Sequence, residues 1–203
     1  MNDISVTEAK IIEAANKVFL EHGIENATMG QIAEEAGINR TSLNYYFRGK
    51  RNLIQKTLTH MQSMIIPTIS HFLDADDMTV IEKVELFIDD YIDLIMKYPM
   101  VPSFLLSELT RDPDWIIQMI KKRKLNFSKL LDQIKVEAAQ GKVRLFKPED
   151  LFANIFGLCV IPGLCKPLLM EFFFKNDEDK LNQFMALRKN EVKRTMRIWL
   201  KPE

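Results

Sequence analysis

The chain has 203 residues, of which 47% are hydrophobic and 28% charged, so it is long enough to bury one or two ordinary globular cores. Basic and acidic residues balance to a formal net charge of zero. This balance excludes a protein that coats nucleic acid without selectivity, and it confines any nucleic-acid contact to a local patch. The two cysteines exclude a disulfide framework and fit a reducing compartment.

No segment reads as a targeting or membrane-spanning sequence. The amino terminus lacks the basic and apolar regions of a signal peptide. The longest apolar run, residues 155–174, is interrupted by Pro162, Lys166, Pro167 and Glu171. We therefore expect a cytoplasmic protein with no membrane partner.

The first predicted helix covers residues 7–22, with Thr7 as its cap and Gly23 just after its end. Its apolar positions recur at helical spacing, so they form one face that would pack on the helices that follow. That face consists of Ile11, Ala15, Val18 and Phe19.

The segment from Thr28 to Lys50 predicts two short helices joined by a tight turn. Thr28 and Gln31 have the spacing of a capping box, which starts the first of them. Gly37 ends that helix because glycine adopts a left-handed conformation at little cost. Asn39 then caps the second helix.

The spacing within this segment is typical of a helix-turn-helix, in which the second helix enters the major groove of DNA. An ordinary corner between two helices is the alternative interpretation. The residues expected to fill the core between the helices are Ile32, Ala36, Ile38, Leu43 and Tyr46. The residues expected to point outward, toward base edges and phosphates, are Arg40, Thr41, Asn44 and Tyr45.

The charge distribution supports the helix-turn-helix interpretation. Residues 1–36 carry a net charge of −5, whereas residues 37–56 carry +5 and contain no acidic residue. The basic side is therefore the second helix and the segment after it, where phosphates would lie.

The segment from Ile11 to Leu53, about a fifth of the chain, resembles the N-terminal domain of the TetR family of bacterial transcriptional regulators. One departure concerns Asn44, where the family usually has a tyrosine that contacts a phosphate. Asparagine can instead form a bidentate pair with adenine, so we expect an unusual operator preference. The matching residues are Ile11, Ala14, Ala15, Phe19, Gly23, Thr28, Ile32, Ala33, Ala36, Gly37, Ile38, Leu43, Tyr45, Phe47, Lys50 and Leu53.

From the pattern and the resemblance together we predict one set of DNA-contacting residues. Lys50 opens a long fourth helix, where a cation is unfavourable for the helix dipole, and the resemblance implies that it contacts a phosphate instead. The predicted set is Thr28, Arg40, Thr41, Ser42, Asn44, Tyr45, Tyr46 and Lys50.

The rest of the chain also reads as helices, and no strand pattern appears. The predicted fold is all-α: a three-helix helix-turn-helix DNA-binding domain over residues 1–49, then an antiparallel helical ligand-binding and dimerisation domain over residues 50–203. We expect Pro67 to end or kink the fourth helix. The later predicted helices cover residues 79–98, 103–110 and 112–140, a segment from residue 147 that is bent at Pro162 and Pro167, and a final helix to the C-terminus.

Two surfaces of the helical domain are expected to have partners. The last two helices carry more apolar residues than one subunit covers, and the resemblance implies that they pair as a homodimer. The two helix-turn-helix domains of such a dimer, called its heads below, would then read half-sites about one DNA turn, roughly 34 Å, or a multiple apart.

The second surface is an interior rich in methionine and aromatic residues, which suits a small apolar or amphipathic effector whose identity the sequence does not give. Ordinary core packing is the alternative. In the expected mechanism, effector binding tilts the fourth helix and moves the two heads away from operator spacing. The candidate effector-binding residues are Met61, Met64, Phe87, Tyr91, Phe104, Trp115 and Met119.

The sequence gives no support for an enzyme, a cofactor or a metal site. It has no glycine-rich phosphate loop and no nucleophile motif. His60 and His71 have no clustered acidic or cysteine partners at metal spacing. Solvated positions are expected for both, and a place in the lining of the effector pocket is the alternative. Cys159 and Cys165 are expected to be buried and inert. A helical ligand-binding or partner-binding protein without sequence-specific DNA activity is the remaining alternative.

Overall fold

Every regular element in the computed structural model is a helix, among the residues that it describes: 6–99, 101–111, 113–123, 125 and 127–202, without the side chains of Leu20, Glu25, Trp115 and Met119. A short π-helical turn over Met170–Phe174 precedes the last helix. The helices are α1 Val6–Asn26, α2 Met29–Glu35, α3 Arg40–Phe47, α4 Lys50–Asp74, α5 Val80–Lys97, α6 Val101–Arg111, α7 Pro113–Lys122, α8 Phe127–Ala139, α9 Pro148–Leu164, α10 Lys166–Leu169 and α11 Glu178–Leu200.

Helices α1 to α3 and the start of α4 share one apolar core. The predicted inward face of α1 is confirmed, and Leu43, Phe47 and Leu53 close the core from α3 and α4. Gly23 interrupts α1 with φ +76°, although helical structure resumes as far as Asn26. Thr7 lies inside the helix, so the predicted cap at that position is wrong.

Helix α4 continues through Pro67 for seven more residues, so of the two expected outcomes, an end or a kink at Pro67, the end is wrong and the kink stays a prediction. An internal proline costs a helix about 3 kcal/mol, because it removes one hydrogen bond and crowds the preceding turn. The side chains around it offset this cost: Ile65 and Ile66 before Pro67 are buried, and so are Phe72 and Leu73 after it. Pro67 itself faces solvent.

Helix α5 is the central element of the helical domain, since it packs against α4, α8, α9 and α11. Its start is capped by Thr79 and Glu82, which form a capping box. The buried carboxylate of Glu137, on α8, also accepts the Val80 N–H at 3.1 Å. These contacts satisfy backbone donors that would otherwise be orphaned at the helix start.

Three ion pairs join α5 to α11, and their α5 members recur every four residues along one face of the helix. Such partly exposed pairs each contribute at most about 1 kcal/mol, so they align the two helices more than they stabilise them. The pairs are Asp93 with Lys189, whose Oδ1 and Nζ lie 2.6 Å apart, Asp89 with Lys193, and Glu85 with Arg197.

Two further expectations about the helices have different outcomes. The single helix expected over residues 112–140 is two helices, since α7 ends at Lys122 and α8 begins at Phe127. The bend expected near Pro167 is present, because the chain turns by 61° between α9 and residues 166–174, whereas α9 itself runs through Pro162 to Leu164. Among the described residues, no single helix has the length and apolar composition to cross a membrane; only this bent pair, taken together, meets that test.

Candidate nucleic-acid interface

The turn between α2 and α3 is built by local hydrogen bonds, as the sequence predicts. Thr28 Oγ1 accepts the Gln31 N–H at 3.2 Å, and Gln31 Oε1 accepts the Thr28 N–H at 2.9 Å. The Ile38 N–H donates to the Ala33 carbonyl at 2.9 Å across Gly37, which has φ +66°. Asn39 Oδ1 then accepts the Ser42 N–H at 2.7 Å. The predicted caps and the glycine turn are confirmed, and they fix the angle between the two helices.

We expect Gly37→Ala to lower the free energy of unfolding by about 1 kcal/mol, because a Cβ is unfavourable at its positive φ. A clash does not add to this cost, since the nearest atom to such a Cβ is Lys10 Nζ at 3.8 Å. Gly30→Ala, inside α2, is the matched control and should leave stability unchanged or raise it by up to about 1 kcal/mol. Urea denaturation of both variants measures the difference. Equal effects would show that the turn does not depend on the glycine conformation.

Helix α3 turns a polar face to solvent. Leu43 and Phe47 are buried in the domain core, whereas Tyr45 is 82% exposed. Arg40, Thr41 and Asn44 are also exposed. Side chains of these types reach base edges and phosphates, so the face is chemically suited to the major groove of DNA.

Two other predicted contact residues lie at the borders of this face. Tyr46 is 38% exposed and meets the Tyr45 ring edge-on, with centroids 5.7 Å apart. The expectation that Tyr46 fills the core is therefore wrong, because Leu43 and Phe47 already form the narrow stripe of α3 that packs inward. Ser42 is half-buried, and its backbone N–H is used by the Asn39 cap.

The chain between α3 and α4 forms a basic border to the same face. Arg48 and Gly49 both have positive φ, and α4 then starts at the half-buried Lys50 with no acidic residue in its first turn. A groove of about 320 Å³ lies beside α3 here, and its walls include Arg48, Asn52 and Lys56. The positively charged residues of segment 37–56 therefore lie next to the exposed face of α3, as the sequence predicts.

The candidate effector-binding residues whose side chains are described fall into two different apolar clusters. Met61 and Phe104 are buried in a small apolar cluster of α4 and α6. Phe87 and Tyr91 stack in the main core, with ring centroids 5.8 Å apart. Burial, and to a smaller extent the neighbouring Cys159, raise the pKa of the Tyr91 hydroxyl. The side chains of Trp115 and Met119 lie outside the described residues.

The one remaining candidate, Met64, lines an open cleft of about 630 Å³ between α4 and α5. His60 and His71 also line this cleft, which was the alternative to the solvated positions expected for them. Burial lowers the pKa of His60, which is half-buried. The two histidines are eleven residues apart, about three helical turns, so they lie on one face of α4. This spacing is the feature of the sequence that could have indicated a shared site.

A family model described as "Bacterial regulatory proteins, tetR family" matches residues 11–57. The HTH-type transcriptional regulator SrpR of Pseudomonas putida is 39% identical over 56 residues, which are 28% of this chain and 26% of that protein. The HTH-type transcriptional regulator TtgR, also of Pseudomonas putida, is 40% identical over 52 residues, 26% of this chain and 25% of that protein. The alignments thus span about a quarter of these two curated relatives.

Solved structures extend the likeness of fold to the helical domain. HlyIIR, a hemolysin II transcriptional regulator, superposes with a TM-score of 0.57 at 19% identity, over 89% of this chain and 96% of its own. The fatty acid degradation regulator FadR from Bacillus halodurans superposes with a TM-score of 0.53 at 18% identity, over 93% of this chain and 95% of its own. Residues 11–57 of this chain are thus similar to the N-terminal domain of the bacterial TetR family, and the helical fold is similar to that of the two solved regulators.

Proposed function

We propose that this protein is a transcriptional regulator that represses its target genes by binding a palindromic DNA operator as a homodimer. The observation that carries the proposal is the polar face of α3, on which Arg40, Thr41, Asn44 and Tyr45 are exposed beside a basic border. A helix presented in this way reads the major groove, while cations at its edge neutralise phosphates. Repression follows the common mode of the family.

The direct test is retention of the protein's own upstream DNA in a gel-shift titration at several salt concentrations. A specific regulator retains this DNA more tightly than a scrambled duplex of the same length, and its affinity falls with added salt. Equal retention of the two duplexes would overturn the proposal. It would favour a helical ligand-binding or partner-binding protein without sequence-specific DNA activity.

Base-reading and phosphate-holding residues should respond differently to mutation. We expect Asn44→Ala to cost about 1–3 kcal/mol on the preferred operator and to relax preference at one position per half-site. Lys50→Ala should weaken binding to all sequences alike and should reduce the slope of log affinity against log salt by about 1 for each half-site. Competition binding with single-base operator variants, repeated at three salt concentrations, measures both effects. Identical behaviour of the two variants would contradict this division of roles.

The apolar surface of α9, α11 and the segment between them supports a homodimer. Several large apolar side chains exposed on neighbouring helices are typical of an interface with another protein chain. A symmetric pair also brings two copies of α3 to one operator, since a single head reads too few base pairs. The exposed apolar residues are Phe152, Ile161, Leu168, Phe172, Phe173, Leu187 and Ile198.

Effector control would act through α4. This helix packs against α1 and α3 in the head and against α5 in the helical domain, so a shift of α4 against α5 moves the head. A small apolar or amphipathic effector releases operator DNA only if it binds the DNA-free conformation of the protein more tightly than the DNA-bound conformation. A ligand that binds tightly but leaves operator affinity unchanged would contradict this part of the proposal.

A further inference from the structure

The cleft between α4 and α5 has the dimensions of a small-molecule site. Its volume of about 630 Å³ falls within the range of about 300–1,000 Å³ that is typical of ligand pockets. One wall is a single stripe of α4 that includes His60, Met64, Pro67 and His71, each about one turn from the next. The other wall is a stripe of α5, from Asp90 to the chain just beyond its end.

The α4 wall contains a backbone carbonyl that lacks its usual helical donor, because α4 has an internal proline. Pro67 has no backbone N–H, so the Ser63 carbonyl, four residues earlier, loses the donor that any other residue would supply there. Both residues line the cleft and both are exposed. A ligand that carries a hydrogen-bond donor gains a partner at this point.

The α5 wall carries two carboxylates and one lysine. Asp90 and Asp93 line the cleft, and Lys97 is the one cation among its described lining residues when both histidines are neutral. The Asp90 Oδ2 atom lies 2.7 Å from His71 Nδ1, and the Asp93 Oδ1 atom lies 2.6 Å from Lys189 Nζ. Each contact engages one oxygen, and a carboxylate has acceptor capacity on both.

Apolar side chains line the same cleft as these carboxylates. They belong to Met64, Leu94 and Tyr98, and all three are half-buried. The ammonium of Lys97 is 5.3 Å from the centroid of the Tyr98 ring. This distance is within the cation–π range, so the ring already has a cation beside it.

A metal ion does not fit this lining. Among the residues that the structure describes, no group of three or more His, Cys, Asp or Glu side chains is placed to hold one. The histidines and carboxylates of the cleft are therefore suited to hydrogen bonding with an organic ligand rather than to coordination.

The geometry points to an organic ammonium ion with an aromatic or aliphatic body as the ligand of the α4–α5 cleft. The ammonium group donates to Asp90, Asp93 and the Ser63 carbonyl, while the body of the molecule covers Met64, Leu94 and Tyr98. The cleft is bounded by α4, the helix through which the proposed effector control acts. The regulatory effect of the ligand therefore rests on the proposed function, whereas its binding to the cleft does not. An ammonium ligand narrows the class of effector from apolar or amphipathic to cationic amphipathic.

Three probes of nearly equal shape separate charge from shape: tryptamine, which is cationic, tryptophol, which is neutral, and indole-3-propionate, which is anionic. Isothermal titration of the full-length protein should give tryptamine an affinity at least about tenfold above that of the other two. Similar affinity for tryptamine and tryptophol, tighter binding of indole-3-propionate, or no saturable tryptamine binding below about 10 mM would each overturn the inference.

Variants assign the binding to the cleft. The double variant Asp90→Asn, Asp93→Asn should weaken tryptamine about tenfold and leave tryptophol unchanged, because the side chains keep their shape while their negative charges, and the ion pairs with His71 and Lys189, are lost. Asp132→Asn is the matched control, since Asp132 is an exposed carboxylate on α8. Unchanged tryptamine affinity in the double variant would overturn the assignment, and retained tryptophol binding shows that the variant is folded.

The regulatory effect has a separate readout. Saturating tryptamine should weaken operator retention by the unmodified protein and not by the double variant. Unchanged retention would overturn the regulatory part of the inference. If the protein retains no operator even without tryptamine, the proposed function is contradicted. The calorimetric measurement would still test tryptamine binding to the cleft, because it does not involve DNA.

Discussion

The double variant Phe152→Asp, Leu187→Asp is expected to convert the proposed homodimer into a monomer and to lower operator affinity by about 100-fold or more. Phe152, on α9, is 68% exposed, and Leu187, on α11, is 64% exposed. In the proposed dimer these side chains lie against the partner subunit. A carboxylate placed there would lose its water without gaining a partner, and that cost opposes association.

The affinity loss follows from the loss of the link between the two heads. When one head of a dimer is bound, the second binds its half-site at a high effective concentration, and a monomer lacks this advantage. Light scattering after gel filtration measures the mass, and the gel shift measures operator affinity. Val136→Asp is the control, because Val136 is 54% exposed on α8, away from the proposed interface. If the double variant stayed dimeric, the interface would lie elsewhere.

The helix-turn-helix was predictable because its determinants are local. Thr28 and Gln31 are three residues apart and bond to each other's backbone N–H groups, so their sequence spacing already specifies the geometry. Gly37 and Asn39 likewise act within one turn of their own positions. Such signals do not depend on what packs against the segment.

Two expectations failed where tertiary packing decided the outcome: that Pro67 ends α4, and that Tyr46 fills the core. Pro67 is a helix breaker by local preference, but the buried side chains on both sides of it hold α4 together. Tyr46 has the apolar character of a core residue, but which stripe of α3 turns inward depends on the neighbouring helices. In both cases the competing free energies come from residues distant in sequence.

The cleft between α4 and α5 could not be located from the sequence for a related reason. Periodicity places His60 and His71 on one face of α4, but it does not say which partner helix leaves that face uncovered. The antiparallel packing of α5 puts Asp90 beside His71 and leaves the space between His60 and Tyr98 open. Only the three-dimensional arrangement brings these ionisable side chains to one site.

The largest loss of stability is expected from Ile92→Ala, at the centre of α5. Ile92 has no exposed surface, and it belongs to the core that joins α5 to α4, α8, α9 and α11. Removing its branched side chain loses buried apolar area and leaves a cavity, which together cost about 2–5 kcal/mol. That is a large fraction of the free energy of unfolding of a typical protein, which is roughly 5–15 kcal/mol.

Urea denaturation followed by circular dichroism measures this loss as a lower midpoint at an unchanged slope. Leu145→Ala is the matched control, because Leu145 is 76% exposed and its truncation should stay within about 0.5 kcal/mol. A loss below about 1 kcal/mol for Ile92→Ala would mean that the core collapses around the missing side chain. In that case α5 would not be the rigid element against which α4 moves, and the proposed coupling between the cleft and the head would lose its mechanical basis.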